Sequence, residues 1–388
     1  MHPTSRATRL LRRTGVVAAG AVLATLALTG CGHVGDSDAA ATTAASDLSD
    51  NQKTALANID AAKAMPTFTE NPPFDMGSLS GKKIIVLAST FAVPFVANIA
   101  NGAQEAAKEV GWDATVIDGK GSVTEWSRVV NQAVSQGVDG ILTVGASPSQ
   151  FAPAVASAKA AGIPVVDVLT ADQDKDPLVD GTFAHTSISY YDAGALQADY
   201  VIANGAPDAH VLIFGDNEFP GEVTRVQGMQ DEFAKLCPDC TVTVQDTQVA
   251  NLATDLQRTT QTLLRRDPDT TWVLPTYDGQ GLYIVAGIKT AGLADTVKVV
   301  GADAVSDNLD LITKGDVQVA DVGSPDVWAG WAGVDMLGRA LAGQEPVTPN
   351  IPLRVFDADN LQGVDTTDTE ALFGGSFRDD FKKVWGLG

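Results

Sequence analysis

Aromatic rings and carboxylates recur together in short segments of this 388-residue chain: Ser89-Thr-Phe91-Ala-Val-Pro-Phe95, Tyr277-Asp278, Asp303, and Ser324-Pro-Asp-Val-Trp328. Such a set suits a sugar or polyol, whose vicinal hydroxyls bond to carboxylates and amides while its C–H face packs on rings. Ser89, Phe91, Phe95, Tyr277, Asp278, Asp303, Ser324 and Trp328 are therefore the candidate ligand-binding residues. Each has a structural alternative. Phe95 can be core, Asp278 and Asp303 can cap the helices that follow them, and Trp328 with Trp331 three residues on is more often a packed helix face than a ligand clamp. Catalytic chemistry has little to stand on: the globular part holds His185 and His210, and Gly-x-Ser-x-Gly, His-Glu-x-x-His and a Walker loop are all missing. No cofactor or metal site is expected.

The three cysteines divide by position. Cys237-Pro-Asp-Cys240 follows a helix and is expected to close a short disulfide, since a zinc site would need two more ligands and a redox pair would open a helix. Cys31 ends a different pattern. Arg6, Arg9, Arg12 and Arg13 precede an apolar run from Val16 to Leu28, too short for a stable membrane span. Leu28-Thr-Gly-Cys31 resembles a lipobox, which implies a signal peptide over 1–30 and diacylglycerol on Cys31 at the outer face of the cell membrane. Loss of those thirty residues removes four arginines and no acid, taking the formal charge from −22 to −26 (−22 − 4). A surface so acidic repels phosphate backbones, which excludes nucleic acid as a partner.

Positioning elements emerge from periodicity. Residues 31–81 lack a core pattern, carry Pro66, Pro72 and Pro73, and are expected to be a lipidated tether with one weak helix over 51–65. From Lys82 onward, a continuous apolar strand such as Ile84–Ala88 is followed by a helix such as Phe95–Val110, which a glycine, here Gly111, ends. Lys159-Ala-Ala-Gly162 before Ile163–Leu169 and Lys289-Thr-Ala-Gly292 before Val297–Gly301 repeat the phrase. Further strands fit 140–144, 210–214 and 271–275. This alternation predicts an α/β protein of two doubly wound parallel sheets. The acidic repeats Asp172-Gln-Asp-Lys-Asp176 and Asp357-Ala-Asp359 lack the glycine and glutamate of a calcium loop and read as solvated loops.

Ser89–Phe95, Gly102-Ala-Gln-Glu-Ala-Ala-Lys108, Gln136-Gly-Val-Asp-Gly-Ile-Leu142, Lys159-Ala-Ala-Gly-Ile-Pro-Val-Val166 and Val299-Val-Gly-Ala-Asp303 together resemble the ribose-binding type (type I) of periplasmic sugar-binding protein, over about 82–347. The resemblance implies two lobes joined by three crossovers: 82–187 with 325–344, and 188–324 with 345–357, leaving 358–388 as a tail. It also implies a monomer that binds ligand in the interlobe cleft and delivers it to an ABC transporter permease. A receptor feeding a membrane kinase or chemoreceptor is the alternative, and a hydrolase on the same scaffold a remote one. Phe95, Asp278 and Asp303 match the family's binding positions. Leu169 and Thr170 stand where the family has Asp-Arg, Val223 where it has a second-lobe Arg, Tyr277 where it has Asn, and Gly323 or Ser324 near its last-hinge Gln. With both arginines replaced, the implied ligand is less polar than ribose or differently shaped.

Overall fold

A computed structural model describes residues 48–349, 351–375 and 377–388. The signal segment 1–30, Cys31 and the first part of the expected tether lie outside the described residues.

The described strands are β1 Lys83–Ala88, β2 Asp113–Asp118, β3 Gly140–Val144, β4 Val165–Val168, β5 Thr182–Thr186, β6 His210–Asp216, β7 Thr241–Thr247, β8 Thr270–Pro275, β9 Lys298–Asp303, β10 Gln318–Gly323 and β11 Arg354–Asp357. They form a first sheet in the order β2-β1-β3-β4-β5 and a second in the order β11-β10-β9-β8-β6-β7. All pairings are parallel except β10 with β11. The central strands β1 and β3 are buried on both faces, as their unbroken apolar runs require. Helices cover both faces of each sheet. The glycine stops at Gly111, Gly162 and Gly292 take φ of 72°, 72° and 76°, the left-handed conformation that lets the chain leave a helix toward the next strand.

The chain passes between the lobes at 187–189, again at 324–325, and through 342–353. Helix Asp326–Leu341 returns to the first sheet, packing against helix Pro94–Glu109.

Two segments expected to be loose are packed instead. Helix Asp50–Lys63 begins in a capping box of Ser49 and Gln52 and buries Ala55 and Ile59. Asn58 Nδ2 donates to Asp199 Oδ2 at 2.9 Å and Asn51 Nδ2 to the Leu236 carbonyl at 2.9 Å, tying the helix to the second lobe. The chain then crosses to the first lobe, where Phe68, Phe74 and Met76 join its core. At the other end, Leu372 and Phe373 pack with Phe356 of the second lobe, while helix Phe377–Val384 returns to the first. There Trp385 stacks on Trp331 at 5.3 Å between ring centroids and its Nε1 donates to Asp335 Oδ1 at 2.8 Å. Residues 48–81 and 358–388 are thus packed onto the lobes and tie them together. Solitary aromatics in a Pro-rich stretch gave no periodic signal of this.

Cys237 and Cys240 are disulfide-bonded, with Cα atoms 5.4 Å apart. The bridge turns the end of helix Pro220–Leu236 into β7.

Candidate ligand cleft

Parallel strands leave their carboxyl ends facing the gap between the two sheets, and the loops there enclose a cavity of about 130 Å³, the scale of one small ring. The first lobe contributes Ser89, Val93, Phe95, Val96, Trp126, Gln150 and Leu169, an apolar and aromatic wall without a charged group. Phe95 and Trp126 face in from the helices that follow β1 and β2, Trp126 being fixed by its Nε1 donating to the Ser89 carbonyl at 3.0 Å. Tyr190, Phe219, Tyr277, Glu218, Glu222 and Asp303 come from the second lobe. The first-lobe wall is thus uncharged, and the second-lobe wall sets carboxyl groups beside three aromatic rings.

The acidic wall is held by a buried network. Asp303 takes φ of 105° and the adjoining Ala304 61°, conformations that L-residues avoid and that persist only when neighbours impose them. Here the Ala304 amide donates to Asp321 Oδ1 at 2.8 Å, the Val305 amide to Asp278 Oδ2 at 2.8 Å, and the Asp278 amide to Asp303 Oδ2 at 3.4 Å. Arg225, fully buried beneath the cavity floor, places its guanidinium 3.7 Å from Asp303 and 3.6 Å from Glu222, over the Tyr190 ring, and donates to the Thr276 carbonyl. Tyr277 donates its hydroxyl to Asp216 Oδ2 at 2.9 Å. Burial raises Glu222 and Asp216 to about 7 and Asp303 well above the carboxylate range, against the lowering pull of Arg225 on Glu222 and Asp303.

The lobes meet around this cavity. The Gly221 amide donates to the Thr170 carbonyl at 3.0 Å, Gln150 Nε2 to the Glu218 carbonyl at 2.7 Å, Thr224 Oγ1 to Asp176 Oδ1 at 3.0 Å, and Tyr190 Oη to the Leu169 carbonyl at 3.0 Å. Gly221 permits that approach: a Cβ there would stand 2.7 Å from the Tyr190 ring.

A family model described as periplasmic binding protein domain matches residues 84–345. The chain belongs to the periplasmic binding protein family. The xylitol-binding protein of Mycolicibacterium smegmatis is 28% identical over 262 residues, which cover 66% of this chain and 70% of that protein. The ribose import binding protein RbsB of Salmonella typhimurium is 24% identical over 268 residues, covering 68% and 86%. Among solved structures, an ABC transporter solute-binding protein from Agrobacterium vitis bound with α-D-tagatopyranose gives a TM-score of 0.65 at 22% identity, covering 73% of this chain and 96% of that one. Another from the same organism, with bound allitol, gives 0.66 at 16% identity, covering 73% and 98%. Membership places this periplasmic binding protein among binding proteins and not among enzymes.

Of the expected residues in this periplasmic binding protein, Ser89, Phe95, Tyr277 and Asp303 line the cavity. Four do not. Asp278 is buried beneath it, spent on backbone amides. Phe91 is 44% exposed and outside the lining. Ser324 is buried at the second crossing, its hydroxyl unpartnered among the described residues. Trp328 is buried between Phe68 and Phe377, with both centroids at 5.4 Å, because the terminal segments cover the helix face it presents. Val223, expected at the family's arginine position, is 46% exposed, and Arg225 two residues on carries the buried guanidinium. Glu222, Arg225, Trp126 and Phe219 lie outside the residues the sequence singles out, while Tyr190, near the first crossover, is open there between a hinge role and ligand contact. An arginine flanked by a glutamate on a helix that starts at a strand end was the available signal. The Asp172–Asp176 loop is solvated at Asp174 and Lys175, but Asp172 is buried and accepts from the amides of Asp174, Lys175 and Tyr191. Among the described residues, His210, Asp267 and Asp269 bring potential metal-ligand atoms within 4.8 Å of one another, at the end of the second sheet opposite the cleft.

Proposed function

We propose that this chain is a membrane-anchored extracytoplasmic solute-binding protein that captures a sugar-like or polyol-like molecule between its lobes and delivers it to an ABC permease. The observation that carries this reading is the interlobe cavity, of single-ring size, with aromatic rings from both lobes and carboxyl groups from one. Relatives named for xylitol and ribose support the ligand class. Ligand would bridge Phe95 and Trp126 of one lobe to Asp303 and Glu222 of the other, drawing the two together by its differential affinity for the closed form. Anchoring rests on the pattern ending at Cys31, and Cys31→Ala should release the protein from the membrane fraction or leave its precursor unprocessed. The ligand reading is tested by a thermal-shift screen of the unlipidated protein against pentoses, hexoses, polyols and cyclitols. A ligand at a hundred times its Kd adds about 2.7 kcal/mol and raises the Tm by several degrees. No shift from any member of these classes would contradict the reading.

A further inference from the structure

The charge in the cleft is one-sided. Glu218, Glu222 and Asp303 line it, and Asp216, Asp278 and Asp321 lie directly behind. Against these six carboxyl groups, the one cation within ion-pair distance among the described residues is Arg225. Among the described residues, no lysine, arginine or histidine lines the cavity. Among the described residues, Glu222 Oε2 is buried and lacks a hydrogen-bond partner, its nearest cation being Arg225 Nε at 3.6 Å, itself without a hydrogen-bond partner there. A carboxylate nine-tenths buried with a free oxygen is costly unless a counter-charge arrives. Opposite stand Phe95 and Trp126, with Tyr190, Phe219 and Tyr277 beside the acids, and ring faces attract cations.

Taking the polyol-binding reading as its basis, we propose that the cleft selects a cationic polyhydroxy compound, an amino sugar, aminocyclitol or amino polyol whose protonated amine is received by Glu222 and Asp303. A neutral polyol of the same size must leave those acids either ionised with the single charge of Arg225 shared between them or protonated, whereas an ammonium group supplies a second charge and forms charge-assisted hydrogen bonds with both. Its hydroxyls remain available to Gln150, Ser89 and Glu218. Burial raises the proton affinities of Glu222 and Asp303 even with Arg225 beside them, and a bound ammonium would lower both.

Calorimetry on the full exported chain at neutral pH, with matched pairs, tests this. The pairs are D-glucosamine with D-glucose, D-galactosamine with D-galactose, and 1-amino-1-deoxyribitol with ribitol, with N-acetyl-D-glucosamine as the neutralised amine and cyclohexylamine as an amine without hydroxyls. In the best-binding pair the amine should bind at least about tenfold more tightly than its neutral partner, and N-acetylation should abolish that gain. Glu222→Gln should reduce the ratio to about threefold or less, by removing one of the two charges that meet the amine. Equal or tighter binding of the neutral partners would overturn the cationic preference and leave the polyol reading standing. Binding of cyclohexylamine without any of the hydroxylated compounds would overturn the polyol reading. Failure of every compound at millimolar concentration would overturn both.

Discussion

At the scale of single residues, the acids of the candidate site share one buried guanidinium. Arg225 lies within 3.7 Å of Asp303 and 3.6 Å of Glu222, and it faces neither solvent nor the cavity. It positions the acids. Removing it leaves two buried carboxylates uncompensated, so Arg225→Met should destabilise the unliganded protein by about 3–5 kcal/mol in urea unfolding, whereas a loss under about 1 kcal/mol would mean that the acids are held by the backbone network alone. The sequence made part of this legible. Asp303 was found because it ends an apolar strand, where parallel sheets present their ligands, and Phe95 because an aromatic follows a proline at such an end. Glu222 and Arg225 were not, because a charged pair three apart on a helix ordinarily marks a solvated face. Only the reach of Arg225 to Asp303 at the end of β9 makes that pair a floor.

Among elements, buried strands announced themselves and edge strands did not. β1 and β3 read as unbroken apolar runs, while β2, β5 and β11 carry polar residues or stand at an edge and gave no such signal. The terminal segments were misjudged for a related reason. Phe68, Phe377, Phe381 and Trp385 look like scattered aromatics until they close over Trp328 and Trp331. That packing makes the C-terminal helix part of the first lobe's core. Trp385→Ala removes both a stacked ring and the bond to Asp335 and should cost about 3–5 kcal/mol, measured by chemical unfolding. An unchanged unfolding midpoint would show that the helix is dispensable. The same element accounts for Trp328, a residue whose type and loop position fitted a ligand clamp but whose surface is already covered.

For the whole molecule, two sheets of parallel strands were legible from the repeated helix, glycine and strand phrase, and their mutual closure was not, since it rests on contacts such as Gly221 with Thr170 that no local pattern encodes. The distribution of buried acids has a global consequence. Burial raises Asp199, Asp216 and Glu222 each to about 7, above the range near 4 in which they titrate when unfolded. Between those limits the native state holds more protons than the unfolded state, so stability falls as pH rises from about 4 to 7. His185, raised by its bond to Asp167 despite burial, adds stability that is full below the ordinary histidine value and is lost as pH climbs through its own, which acts in the same direction. The Tm of the unliganded protein should therefore be higher at about pH 5.5 than at about pH 8, and Asp199→Asn should flatten the difference. A Tm that rises with pH over this span would mean that these acids are ionised in the native state. The account as a whole turns on the interlobe cavity being the ligand site, and calorimetric titration of the best-binding compound into wild type and Asp303→Ala tests that most directly. One ligand per chain in the wild type, with binding weakened by about 1.5–3 kcal/mol in the variant while its fold is retained, is the predicted result; equal affinity in the two proteins would contradict it.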